Sequence, residues 1–144
     1  MDAPTFSIFS AISEVFVTIG VLYGIIATLR GKKLPKAMLG VVLIFELCIN
    51  VVYMATRASH ADKSADLSGP MKAFFAGHGI LSLLMFLAIA VVFLLALADE
   101  SNGRENWFRR HRSASYVLIF FWMVSVLSGE AIFLLRYFGG GMGA

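Results

Sequence analysis

Apolar residues run through this chain in four long stretches, and polar residues interrupt them at helical spacing. The stretches cover about residues 6–29, 37–56, 73–98 and 113–137. Each reaches the roughly 20 residues that a helix needs to cross the hydrocarbon of a bilayer. The strict apolar–polar alternation of a barrel strand is absent. Lipid leaves only helices and closed barrels as spanning structures, because backbone polar groups find no water there. The pattern therefore predicts an all-α protein, an integral membrane up-and-down four-helix bundle, with residues 1–144 forming a single domain.

The connections fit this reading. "RGKKLPK" is a tight turn after the first stretch, and "RASHADKSADLSGPMK" is a polar loop ending in a "SGP" break. "DESNGRENWFRRHR" is the third connection, with Trp107 and Phe108 expected at the membrane interface, where aromatic rings gather. Pro4 stands just before the first helix, where proline does no harm. Gly20 and Gly24 in "GVLYG" make a small-xxx-small face, which predicts close approach of a second helix.

Composition strengthens the membrane assignment. Of 144 residues, 59% are apolar, and the mean hydropathy is +0.83. The net charge of +3 does not signal nucleic-acid binding, because the basic residues cluster at helix ends. Arg30, Lys32, Lys33, Lys36, Arg104, Arg109, Arg110 and Arg112 lie on one side, against Arg57, Lys63, Lys72 and Arg136 on the other. The excess places the first and third connections in the cytoplasm and both termini outside. "MDAPTFS" lacks a basic leader, so the first stretch reads as a spanning helix rather than a cleaved signal peptide. Cys48 is the only cysteine. It excludes an intrachain disulfide and multi-cysteine metal motifs, and reads as a small packing residue.

The informative residues are the polar ones inside the stretches. Glu14, Glu46 and Glu130 lie in the first, second and fourth, and His78 lies in the third. At 1.5 Å per residue, Glu14, His78 and Glu130 lie about 12, about 8 and about 11 Å from the outer end of their helices. Glu46 lies about 16 Å in, near the midplane. All four thus fall in the outer half. Glu46, Asn50, Tyr53, Arg57 and His60 follow one helical stripe, as do Ser7, Ser10, Glu14 and Thr18. Polar stripes in membrane helices face the interior, so Glu14, Glu46, His78 and Glu130 are expected around a shared pocket, with Asn50 and Tyr53 in support.

Three carboxylates at close range in low dielectric need protons or a cation. Several readings stay open. One is a metal site with His78 as nitrogen ligand and Glu14, Glu46 and Glu130 as oxygen ligands, taking copper or iron. Another is a proton path or ligand pocket. A third is a haem on His78, with His60 as a second axial ligand. The paired Glu-x-x-His signature of di-iron bundles is missing. His111 in "RRHR" reads as a headgroup-facing base. No nucleophile–base constellation and no phosphate-binding loop point to an enzyme.

Three segments carry a family resemblance: "KAML" entering the second helix, "FFAGHGILSLLMFLAIA" in the third, and "FRRHRSASYVLIFFWMVSVLSGEAIFLLRYF" through the fourth. Together with His111, Arg112, Trp122 and "VSVLSG" at 124–129, they resemble the CtaM-like family of small four-helix bacterial membrane proteins, and His78 and His60 match histidines of that pattern. The three intramembrane glutamates are not part of it, and "LPKAML" lacks the histidine that often precedes that stretch. The resemblance implies a bacterial inner-membrane accessory or assembly protein of a respiratory cytochrome oxidase, in contact with lipid and with other membrane subunits. Two alternatives stand beside it: a redox subunit binding haem or quinone, and a proton- or ion-handling component.

Overall fold

The structure is a computed structural model that describes residues 5–58 and 69–137. Its elements are α1 (Thr5–Leu29), α2 (Lys36–Ala58), α3 (Gly69–Ser101), the single turn α4 (Trp107–Arg110) and α5 (Arg112–Tyr137). No strand occurs among the described residues. Three of the helices contain stretches long and apolar enough to cross a membrane, Ser7–Leu29, Gly69–Ser101 and Arg112–Leu135. The remaining long helix, α2, has 23 residues. Pro70 sits in the first turn of α3, where its missing N–H costs no helical bond.

Large apolar side chains cover the outside of the molecule. Phe16 is 69% exposed, Ile80 63% and Phe120 62%. A soluble monomer rarely shows apolar surface on this scale, whereas lipid accepts it without cost.

The four long helices form a ring in which α1 packs on α2 and α5, and α5 packs on α3. The α1–α2 seam is tight because of its glycines. A Cβ at Gly20 would sit 2.9 Å from Val42 Cγ2, and one at Gly24 would sit 2.7 Å from Leu39 Cδ1. The small-xxx-small face thus does what its spacing predicts. The fourth seam differs: α2 and α3 meet least. A Cβ at Gly40 would lie 3.9 Å from Phe93 Cζ, so these helices approach near the basic end of the bundle.

That basic end is closed by polar clasps. Glu100 at the end of α3 accepts from Leu34 N at 3.3 Å, pairs with Lys36 at 3.5 Å and accepts from Asn106 Nδ2 at 3.3 Å. Asp99 pairs with Arg110 at 3.2 Å. Acidic groups at a helix C-terminus oppose its dipole; here they tie α3 to both loops instead. Asn106 caps α4 by accepting from Phe108 N, and the turn drives Phe108 inward until it is 1% exposed. Phe108 is therefore a plug in the bundle, not the interfacial anchor that the sequence suggests. Trp107 is half-buried and stacks on His111 at 4.6 Å. Ser115 Oγ donates to Phe108 O at 3.0 Å and holds the plug to α5.

The glycine seam yields a direct test. Gly24→Val is expected to destabilise the protein by about 1–3 kcal/mol through overpacking against Leu39, read as a lowered Tm in mild detergent. Gly79→Ala is the control, since a Cβ there meets nothing within 4 Å. Its Tm should match the wild type.

Candidate functional site

Away from the clasped end, the ring borders an open cavity of about 670 Å³, within the range of small-molecule sites. Every long helix lines it. α1 contributes Ser7, Ser10 and Glu14; α2 contributes Leu47, Asn50 and Val51. α3 supplies Phe75, His78, Gly79 and Ser82, and α5 supplies Ser125, Gly129, Glu130 and Phe133. Most of the remaining lining is apolar.

The floor of the cavity is a layer of Glu14, Glu46, Ser82 and Ser125 around a gap with no room for a water molecule. Glu46 is 4% exposed. Its Oε1 accepts from Asn50 Nδ2 at 2.6 Å, a bond made possible by the one-turn spacing on α2. Its Oε2 is buried and has no hydrogen-bond donor among the described residues other than the neighbouring Glu14 carboxyl. The Glu14 carboxyl lies within hydrogen-bonding reach of Glu46, and Glu130 lies close enough to Glu14 to repel it. Two carboxyl groups in contact need a positive partner between them, either a shared proton or a cation. Below this layer, Trp122 Nε1 donates to Thr18 Oγ1 at 3.2 Å, with both residues buried. The indole is thereby fixed as the support of the acidic layer.

His78 forms the opposite wall. Its Nδ1 lies 2.9 Å from Ser128 Oγ. Ser128 Oγ in turn donates to Ser125 O at 2.8 Å. The single hydroxyl hydrogen is thus committed to the backbone, and Ser128 can only accept from the imidazole. For a neutral ring, a hydroxyl hydrogen given to Ser125 O leaves Nδ1 as the donor to Ser128. Gly129 makes room for the ring: a Cβ there would lie 2.9 Å from His78 Cε1. The "SG" pair at 128–129 therefore positions His78, one residue by hydrogen bonding and the other by lacking a side chain.

Of the residues singled out in the sequence, Glu14, Asn50, His78 and Glu130 line the cavity, and Glu46 lies in its floor. Tyr53 is on α2, but its side chain lies outside the described part, and His60 lies outside the described residues altogether. Sequence reading did not single out Ser125, Ser128 or the Thr18–Trp122 bond. Serines in apolar helices carry no periodic signal of their own, and only the contact across α3 and α5 reveals them.

The two cofactor readings can be tested against this geometry. Among the described residues, no three His, Cys, Asp or Glu side chains come together in a set that could hold a metal ion. Glu14, Glu46, His78 and Glu130 share a cavity without converging on one point. A haem would bring two propionates into a space with three carboxyl groups at its edge, and no Lys or Arg appears among the described lining residues. The described residues assemble no metal-holding set, and His60, the second haem ligand of that reading, lies outside them. Compared with protein-family models, with curated proteins and with solved structures, the chain matches none.

The imidazole assignment makes a prediction. Nitrogen NMR of the neutral protein should show His78 as the Nδ1–H form. Ser128→Ala should mix the tautomers and cost about 1 kcal/mol, the net worth of one hydrogen bond. An Nε2–H form in the wild type would refute the assignment.

Proposed function

We propose that this chain is an integral membrane four-helix protein that serves a bacterial respiratory cytochrome oxidase as an accessory or assembly protein. In this reading it holds a membrane-soluble molecule in the cavity described above. α2 is the fourth span, since 23 residues rise about 34 Å against a hydrocarbon core of about 30 Å. The basic connections face the cytoplasm, both chain ends lie outside the inner membrane, and the cavity belongs to the outer half.

The observation that carries the ligand part is the cavity itself: about 670 Å³, apolar in its walls, with an acidic floor and a positioned imidazole. The oxidase part is supported by the resemblance at "FFAGHGILSLLMFLAIA" and at His111, Arg112, Trp122 and residues 124–129. The exposed apolar faces of α3 and α5 leave ample surface for other membrane subunits.

A second reading, a proton-handling membrane component, is favoured by one feature. The Glu14–Glu46 contact is a place where a proton can reside at bilayer depth.

The two readings separate experimentally. Deleting the gene should lower oxidase activity in native membranes severalfold, with restoration by the wild-type chain and not by Glu46→Gln present in equal amount. Unchanged oxidase activity in the deletion strain would defeat the accessory role. Under the proton-handling reading, pH-driven proton flux into liposomes should appear with the wild type and vanish in Glu46→Gln.

A further inference from the structure

Two adjacent arginines on the turn α4 differ in what they meet. Arg110 reaches Asp99 with both ends of its fork, Nη1 to Oδ1 at 3.4 Å and Nη2 to Oδ2 at 3.2 Å. Arg109 reaches no acid: it belongs to neither ion pair of the clasp. It is half-buried, with its Nε enclosed by protein and without an acceptor among the described residues. Its terminal nitrogens reach the surface and make no hydrogen bond to a described residue. The connections at this end, 30–35 and 102–111, are described throughout, so neither of them supplies the missing acceptor. An enclosed stem loses little freedom when its head binds. A guanidinium without an internal acceptor keeps its planar fork for an anion from outside the chain.

The surroundings favour negative charge. Of the bases at this end, Arg30, Lys32, Lys33, Arg104, Arg109 and Arg112 make no ion pair among the described residues. Asp99 and Glu100 are engaged by Arg110 and Lys36, which leaves only the exposed Glu105 against them. Arg109 is the one base of this set with a nitrogen enclosed by protein. Its position decides which anion fits. It stands three residues before Arg112, where the apolar span Arg112–Leu135 begins. Trp107 on the same turn is half-buried and stacked on His111, a placement typical of headgroup depth. Within the first turns of α5, Tyr116, Val117 and Phe120 are exposed, an apolar surface for acyl chains. A molecule with a phosphate at the helix end and hydrocarbon along the helices matches both features, whereas free phosphate matches only the first.

We propose that Arg109 binds the headgroup phosphate of an anionic phospholipid whose acyl chains run along the exposed apolar surface of the bundle. Arg109 supplies the fixed contact. The other unpaired bases supply a field that favours a lipid of net negative charge over a zwitterionic one. The inference rests on the reading of the chain as membrane-spanning and stands apart from the cavity and from the oxidase role.

The full chain, in a neutral detergent, is titrated with short-chain phosphatidylglycerol, with phosphatidylcholine of the same chain length and with inorganic phosphate. Binding is read by native mass spectrometry and by Tm. Retained phosphatidylglycerol, held about tenfold more tightly than phosphatidylcholine, and a raised Tm are the expected results. Arg109→Gln should weaken phosphatidylglycerol binding about tenfold, with a lipid-free Tm no lower than that of the wild type, because the enclosed cation has no partner to lose. Lys33→Gln removes an exposed, unpaired base from the same end and should change binding by less than about twofold. Equal losses in the two variants would overturn the Arg109 site and leave only a diffuse field. Equal binding of the two lipids would overturn the anionic headgroup, and an equal Tm shift from inorganic phosphate alone would overturn the lipid as its source. Failure of the wild-type chain to float with liposomes would defeat the membrane reading itself. A chain that floats and retains no phosphatidylglycerol would overturn this inference alone.

Discussion

Everything in this bundle follows from the difficulty of keeping a carboxyl group away from water. Glu46 is almost completely enclosed, and one of its oxygens has only another acid for company. Such a group is tolerable only if helices wall it in and a partner answers it. Asn50 answers one oxygen, and the Thr18–Trp122 bond fixes the layer beneath. The acid layer itself is closed, with no room for a water molecule, and the open space lies beyond it, away from the clasped end. The molecule is tight at one end and hollow at the other.

The tight end compensates for the hollow one. Glycines at 20 and 24 bring α1 and α2 together over the lower half. Asp99 and Glu100 bind α3 to both neighbouring connections. Phe108 is buried among α1, α3 and α5. Around the ring α2 and α3 meet least, and their approach at Gly40 and Phe93 lies toward the clasped end. Structure and candidate function are thus linked by division of labour along the helix axis.

Much of this was legible in the sequence, and the reasons are physical. Long apolar runs without strand-like alternation point to helices, and the four long elements appear within a few residues of their expected bounds. The small-xxx-small spacing of Gly20 and Gly24 announced a close seam. Rare acids in apolar runs stand out, and helical spacing gave their inward faces, so Glu14, Glu46, His78 and Glu130 were traceable to one region. The rest was hidden because it depends on contacts between distant segments. Periodicity does not show that four polar groups share a cavity without meeting at a point. Nor does it show that Ser128 spends its hydrogen on Ser125 and so orients an imidazole fifty residues away. Phe108 was misplaced for a related reason: an aromatic beside Arg residues looks interfacial until a capped turn aims it at the core.

The length of α3 has a consequence of another kind. Its 33 residues extend about 50 Å, well beyond the hydrocarbon thickness of any ordinary bilayer. A helix that long must lean or project, and membranes differ from one another by several Å in thickness. In a membrane, hydrophobic mismatch would act on α3, the helix that meets α2 least. Lipid chain length would then bear on the α2–α3 seam, so that the surrounding bilayer, and not the sequence alone, would set how that seam is held.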